Sequence, residues 1–308
     1  MLDELGYADV PILAPNQSSN FYKTLASYGN DFDRRAWFGI CAMDILDKLL
    51  RETRPYETSK GQTNKVYEEC LRRVEKAVED GGIYNYRKIM IEIKEKFKTI
   101  SVDKKELKPV IGIVGEIYVR SNCFANDYIV DAVEKLGGEA WVSPIAEWFY
   151  YTNLRRAEDE LLAGSYLTFV KEKVKNLWQR YKEQDIEKMF RDCLRNCEEP
   201  DIKDVLEYSD PYLSCKVEGE AVLSVGKAVD YIKKGASGIV NVMPFTCMPG
   251  TNVSAVMTRV KKDFNNIPIL NMSYDGLGQT TARTRLEAFM FQSTQFAKNK
   301  KKVSGLEL

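Results

Sequence analysis

From Pro109 onward, short apolar runs alternate with stretches of helical periodicity, and this alternation restricts the chain to a small set of α/β folds. Val110–Val114, Glu139–Val142, Gly238–Met243 and Ile267–Met272 read as strands. Helices are expected over Phe124–Leu136, Val217–Lys234, Asn252–Phe264 and Thr280–Lys298, with a long helical region Glu147–Glu198 broken at Gly164 and Gln184. Pro200–Tyr212 reads as a loop. Strands that are apolar throughout and separated by helices predict a Rossmann-like or flavodoxin-like parallel sheet with helices on both faces.

The first hundred residues follow another pattern. Phe21–Arg54 carries helical spacing through Trp37, Ile40, Cys41, Ile45 and Leu49, and Pro55 stops it. A second helical stretch, about Thr63–Phe97, breaks at Gly81-Gly82. Val10–Ala14 is a short apolar run with almost nothing before it to pair with, so it reads as an orphan strand whose partner lies upstream. The expected division is a mainly helical segment, 1–108, joined to or left over from a missing first lobe, and an α/β lobe, 109–308. The charged stretch Ser101–Lys108 links them.

With 308 residues, the chain can bury a full core without disulfide staples. Its 45 basic and 45 acidic side chains cancel, which argues against nucleic acid or an anionic membrane as a partner. The sequence contains neither a membrane-length apolar run nor a basic-then-apolar leader at Met1, so a cytoplasmic location is expected. The seven cysteines form no CxxC pair, against both a disulfide framework and a self-contained zinc site. Cys193 and Cys197, four apart in an expected helix, would share one face of it. There is no histidine, which removes Ser-His-Asp and Cys-His catalysis and histidine metal sites. Gly112-Ile-Val-Gly115 is not a dinucleotide fingerprint, and Ala228 follows Gly226-Lys227 where a P-loop needs Ser or Thr. Glu218 and Glu220, two acids at a helix start, are expected from the helix dipole alone.

Ligands of open parallel sheets bind beyond the carboxyl ends of the strands. Here those ends carry Glu116, Arg120 and Asn126 after the first strand, Pro144 after the second, Phe245 and Cys247 after the third, and Asp275 after the fourth. Cys247 is the most pointed of them. It sits in a strand-to-helix turn punctuated by Pro249 and Gly250, with Thr251 placed to cap the following helix. A thiol just ahead of a helix N-terminus feels the positive end of its dipole, which favours the thiolate. The competing reading is a packing cysteine at a strand end.

Three segments, "GEIYVRSNCFANDYIVDAVEKLGGE" (Gly115–Glu139), "GEAVLSVGKAVDYIKKGASGIVNVMPFTCMPGT" (Gly219–Thr251) and "PILNMSYDGLGQTTARTRLEAFM" (Pro268–Met290), resemble the 2-hydroxyacyl-CoA dehydratase component family. The resemblance is strongest to its large branch of acyl-CoA dehydratase activase-related proteins. It extends over essentially the whole chain, including "RRAWFGICAMDILDKLLRETRPYE" (Arg34–Glu57).

The resemblance implies two Rossmann-like or flavodoxin-like lobes with an iron–sulfur cluster near their interface. An ATP-dependent activase, in the same polypeptide or a separate one, would supply low-potential electrons for an acyl-CoA or another small molecule, as in anaerobic metabolism. It transfers Cys247 as the one cluster ligand from this lobe, with Cys123 as runner-up; the other ligands would come from the missing lobe. A cubane fully held by protein takes four cysteines, so the cluster is expected in the parent protein and can be absent from this chain alone. Two other readings stay open: a cluster-free scaffold or docking domain of a multidomain activase, and a CoA- or small-molecule-binding domain using the strand ends.

Overall fold

A computed structural model describes residues 3–6, 31–276 and 281–303. The strand expected at Val10–Ala14 lies outside them. Among the described residues three α-helices, α1 (Phe32–Thr53), α2 (Gln62–Glu79) and α3 (Tyr86–Lys98), precede the sheet. Then follow β1 (Val110–Gly115), α4 (Ile117–Ser121), α5 (Ile129–Lys135), β2 (Glu139–Val142), α6 (Ala146–Leu162), α7 (Tyr166–Phe190) and α8 (Ile202–Ser209). The chain continues through α9 (Glu220–Lys233), β3 (Gly238–Pro244), α10 (Met248–Asp263), β4 (Ile269–Tyr274) and α11 (Ala282–Val303).

The fold is the α/β architecture the alternation predicts. All strand pairs are parallel, in the order β2-β1-β3-β4. The chain steps from β1 outward to β2, then returns across β1 to β3, so the order reverses between β1 and β3. That places a topological switch point at their carboxyl ends, where parallel sheets open a crevice.

Side-chain alternation sorts the strands into two faces. Val110, Val114 and Ile239 pack against α9 and α10, whereas Ile111, Ile113, Val240 and Val242 pack against α5 and α11. At Gly112 a Cβ would fall 2.7 Å from the Tyr231 ring, so glycine lets α9 lie close on β1. A third core joins the N-terminal helices to those inserted between β2 and β3: Leu46, Ile93, Tyr150, Phe190 and Val205 belong to one apolar cluster. The segment before residue 108 therefore shares its core with α6–α8. Asp44 of α1 strengthens this union by accepting the Ile145 and Ala146 amides at 3.0 Å each, capping α6 from outside its own chain segment.

Local differences from the sequence pattern have identifiable causes. The stretch 200–212 contains α8, capped by Asp201 accepting from Lys203 N and burying Ile202, Val205, Leu206 and Ser209. The helix expected over Phe124–Leu136 starts only at Ile129, because Asp127 and Tyr128 hold left-handed φ values of 55° and 54°. Helix α7 runs through Gln184 without a break. It ends at Phe190, so Cys193, in a turn, and Cys197, in irregular chain, lie beyond it and share no helix face; Cys197 is buried, its thiol donating to Glu187 O at 3.0 Å. Among the described residues no helix is long and apolar enough to cross a membrane.

Candidate functional site

The carboxyl ends of β1 and β3 are tied together by backbone. Glu116 N donates to Val242 O at 2.9 Å, and a Cβ on Gly115, at φ +125°, would collide with Val242 O at 1.9 Å. Only glycine fits this approach. Glu116 is half-buried and spends both carboxylate oxygens on the amides of Tyr118 and Val119, at 3.1 and 2.7 Å. Glu220, at the start of α9, faces the same turn; burial and then the Glu116 charge push its carboxyl up, while Arg120 pulls it back.

Arg120 is buried, with its guanidinium donating to Gly115 O at 3.3 Å and Pro144 O at 3.2 Å. It therefore links the ends of β1 and β2 from inside the wall. Asn126 is also buried. Its amide donates to Val119 O at 2.7 Å and Arg120 O at 3.3 Å, and its oxygen accepts from Ile129 N at 3.2 Å. Arg120, Asn126 and Pro144 thus form one scaffold beneath the edge, leaving Cys123 exposed on the loop they hold.

After β3 the chain turns sharply. Phe245 N donates to Tyr274 O at 2.8 Å, next to Asp275, and Thr246 takes a left-handed φ of 65°. The cap of α10 is Cys247 itself and not Thr251: its sulfur accepts the Gly250 amide at 3.4 Å, with Pro249 in the first turn. Proline is tolerated there because its missing N–H would have no helical partner. Gly250 permits the helix to close on β3, since a Cβ would stand 2.6 Å from Met243 Sδ. Cys247 is half-exposed, and the same strand ends carry exposed apolar side chains, Tyr118 and Phe124 after β1 and Phe245 and Met248 after β3.

Behind Pro144 lies a buried ionic cluster that the sequence pattern did not reveal. Glu199 meets Lys48 at 2.5 Å and also Lys227, which in turn pairs with Asp230 at 3.0 Å. Burial would raise the Glu199 carboxyl, yet Lys227 and Lys48 hold it well below the usual carboxylate range. Glu147 is less well compensated: it meets Arg120 at 4.0 Å, and burial, outweighing the pull of Lys227 and Arg120, pushes its carboxyl up to about 7. Asp44 rises to about 7 for the same reason, despite its two amides. The cavities lined by this cluster are only about 10 Å³ each, too small for an organic ligand, so it reads as a structural joint between the helical layer and the sheet. A cleft of about 270 Å³ opens elsewhere, between α1 and α7, walled by Trp37, Phe38, Tyr84, Tyr86 and Trp178. Comparison with family models, curated proteins and solved structures finds no match for the chain.

Proposed function

We propose that the strand carboxyl edge is half of a redox site, and that the chain acts as the C-terminal lobe of an iron–sulfur electron-transfer or reductase component similar to 2-hydroxyacyl-CoA dehydratases and their ATP-dependent activases. The observation that carries the reading is Cys247, half-exposed at the cap of α10 beside the switch point. Its sulfur lies at the positive end of a helix dipole, next in sequence to the exposed apolar residues Phe245 and Met248.

On this reading the cluster is shared with a facing lobe. A cubane held entirely by protein needs four thiolates, and the described residues contain no grouping of three or more His, Cys, Asp or Glu side chains able to hold a metal ion. This edge would offer Cys247, with Cys123 as the other thiol that reaches the surface there, and the remaining ligands would come from the facing lobe. Such a cluster would supply single low-potential electrons when bound; the residues here would anchor it through Cys247 and shield it with Phe245 and Met248. The same small number of thiols at the edge favours, as second reading, a docking lobe without a cluster. Iron and acid-labile sulfide analysis of the protein isolated anaerobically with its bound partners separates the two. Iron and sulfide in that complex support the redox reading, and an iron-free, colourless complex favours the docking lobe.

A further inference from the structure

Up to Glu183, helix α7 is inverted in polarity; only its last turns, with Ile186 and Phe190, bury apolar side chains. Its inward face carries Glu172, Asn176, Gln179 and Glu183, which turn toward α6: Glu172 meets Arg156 at 3.6 Å, Gln179 accepts from Asn153 at 2.8 Å, and Glu183 accepts from Tyr150 at 2.8 Å. Its outward face carries Leu167, Val170, Val174, Leu177 and Tyr181, each more than half exposed. A surface helix normally shows the opposite arrangement. The outward spacing, alternating three and four residues, is that of a helix-packing seam, with one apolar knob per half-heptad along a continuous stripe.

The charges beside the stripe identify what fits it. Lys171 and Lys173 flank it, whereas Glu172 and Glu183 are committed inward and Asp185, near its end, pairs with Arg87 at 2.5 Å. A second copy of the chain is a poor occupant. A two-fold antiparallel pairing centred on Val174 would bring Lys173 against its own copy, and like charges at such positions repel. We propose that the outward face of α7 docks an amphipathic helix of a partner polypeptide, apolar at alternating three- and four-residue spacing and acidic on both flanks.

A fluorescently labelled synthetic helix of about three heptads, with leucine on the seam and glutamate on the flanks, tests this by anisotropy titration against the full chain. The matched control carries lysine on the flanks. The glutamate peptide should bind at least tenfold tighter than the lysine peptide, with affinity falling as salt rises. The double variant Val174→Glu/Leu177→Glu should weaken the glutamate peptide at least tenfold while keeping the circular dichroism spectrum and melting temperature of the wild type. If that variant does not fold, the milder Leu177→Ser should still weaken binding several-fold. Equal binding of the two peptides, or binding untouched by these substitutions, overturns the proposal. So does a dimer in light scattering that the double variant abolishes, which would make the stripe a self-association face, or binding confined to anionic vesicles.

Discussion

The sulfur of Cys247 accepts the amide of Gly250 at 3.4 Å, closing the first turn of α10 at the point where β3 leaves the sheet. One side chain thus holds a helix end and presents a thiol at the switch point. The two roles separate by substitution. Serine keeps an acceptor at the cap, so Cys247→Ser should unfold in urea at the wild-type midpoint or slightly above. Cys247→Ala leaves the Gly250 amide without its side-chain acceptor and should lose about 0.5–1 kcal/mol.

Alkylation should rank the thiols by environment. Burial pushes Cys70 up to about 11 and Cys197 up to about 12, and raises Cys41 well above the ordinary thiol value. Cys123 is exposed and Cys247 half-exposed. At neutral pH, mass-spectrometric labelling with iodoacetamide should reach Cys123 and Cys247 at least ten times faster than the three buried thiols, since only the thiolate reacts. Equal rates for Cys247 and Cys70 would make Cys247 a packing residue.

Lys227 is fully buried and meets Glu199, which Lys48 also approaches. Lys227→Met removes one of the two cations and leaves a carboxylate under-compensated in the core, which should destabilise the fold by about 3–5 kcal/mol. The loss in the double variant Lys227→Met/Glu199→Gln should be smaller than the sum of the two single losses, because the pair is already broken, but it stays well below the wild type because Lys48 then stands without its carboxylate. Chemical denaturation of the four-member cycle measures the coupling.

Stability should fall as pH rises from about 5 to 8. Asp44 and Glu147 stay protonated in the fold up to about 7, because burial disfavours their ions, whereas in the unfolded chain they ionise near the ordinary carboxylate range. Between those values the fold holds more protons than the unfolded chain. Their contribution is therefore complete below the unfolded value and is lost as pH passes through the folded one. Glu199 acts in the opposite direction: its stabilisation is present above the unfolded value and disappears only in strong acid. Glu147→Gln should flatten the decline by on the order of 1–3 kcal/mol between the two pH values.

The sheet was legible in the sequence because each strand is an uninterrupted apolar run and each following helix keeps its own period. Helix α8 was obscured by Pro200 and its acidic neighbours, although Asp201 and the spacing Ile202, Val205, Leu206, Ser209 carried the signal of a capped helix. The sequence pattern puts the N-cap at Thr251, four residues late, because Pro249 and Gly250 look like a turn when they lie in the first turn of α10. Nothing in the local pattern marks Lys48, Glu199 and Lys227 as a buried cluster, since charged residues ordinarily lie at the surface and these are brought together from three distant elements. Strand direction puts the strand-end residues at one edge of a parallel sheet, but which of them face solvent depends on side-chain packing: Arg120 and Asn126 turn inward, while Cys123, Phe245 and Cys247 reach the surface.

The most direct test of the redox proposal compares iron content and the low-temperature electron paramagnetic resonance signal of anaerobically isolated complexes carrying wild-type chain, Cys247→Ser or Cys193→Ser. Serine at 247 retains the cap and the fold, and Cys193 sits in a turn beyond α7, away from the strand edge. The account predicts a cluster signal in the wild type and in Cys193→Ser, and its loss or conversion in Cys247→Ser with an unchanged circular dichroism spectrum. Unaltered iron and an unaltered signal in Cys247→Ser would contradict it.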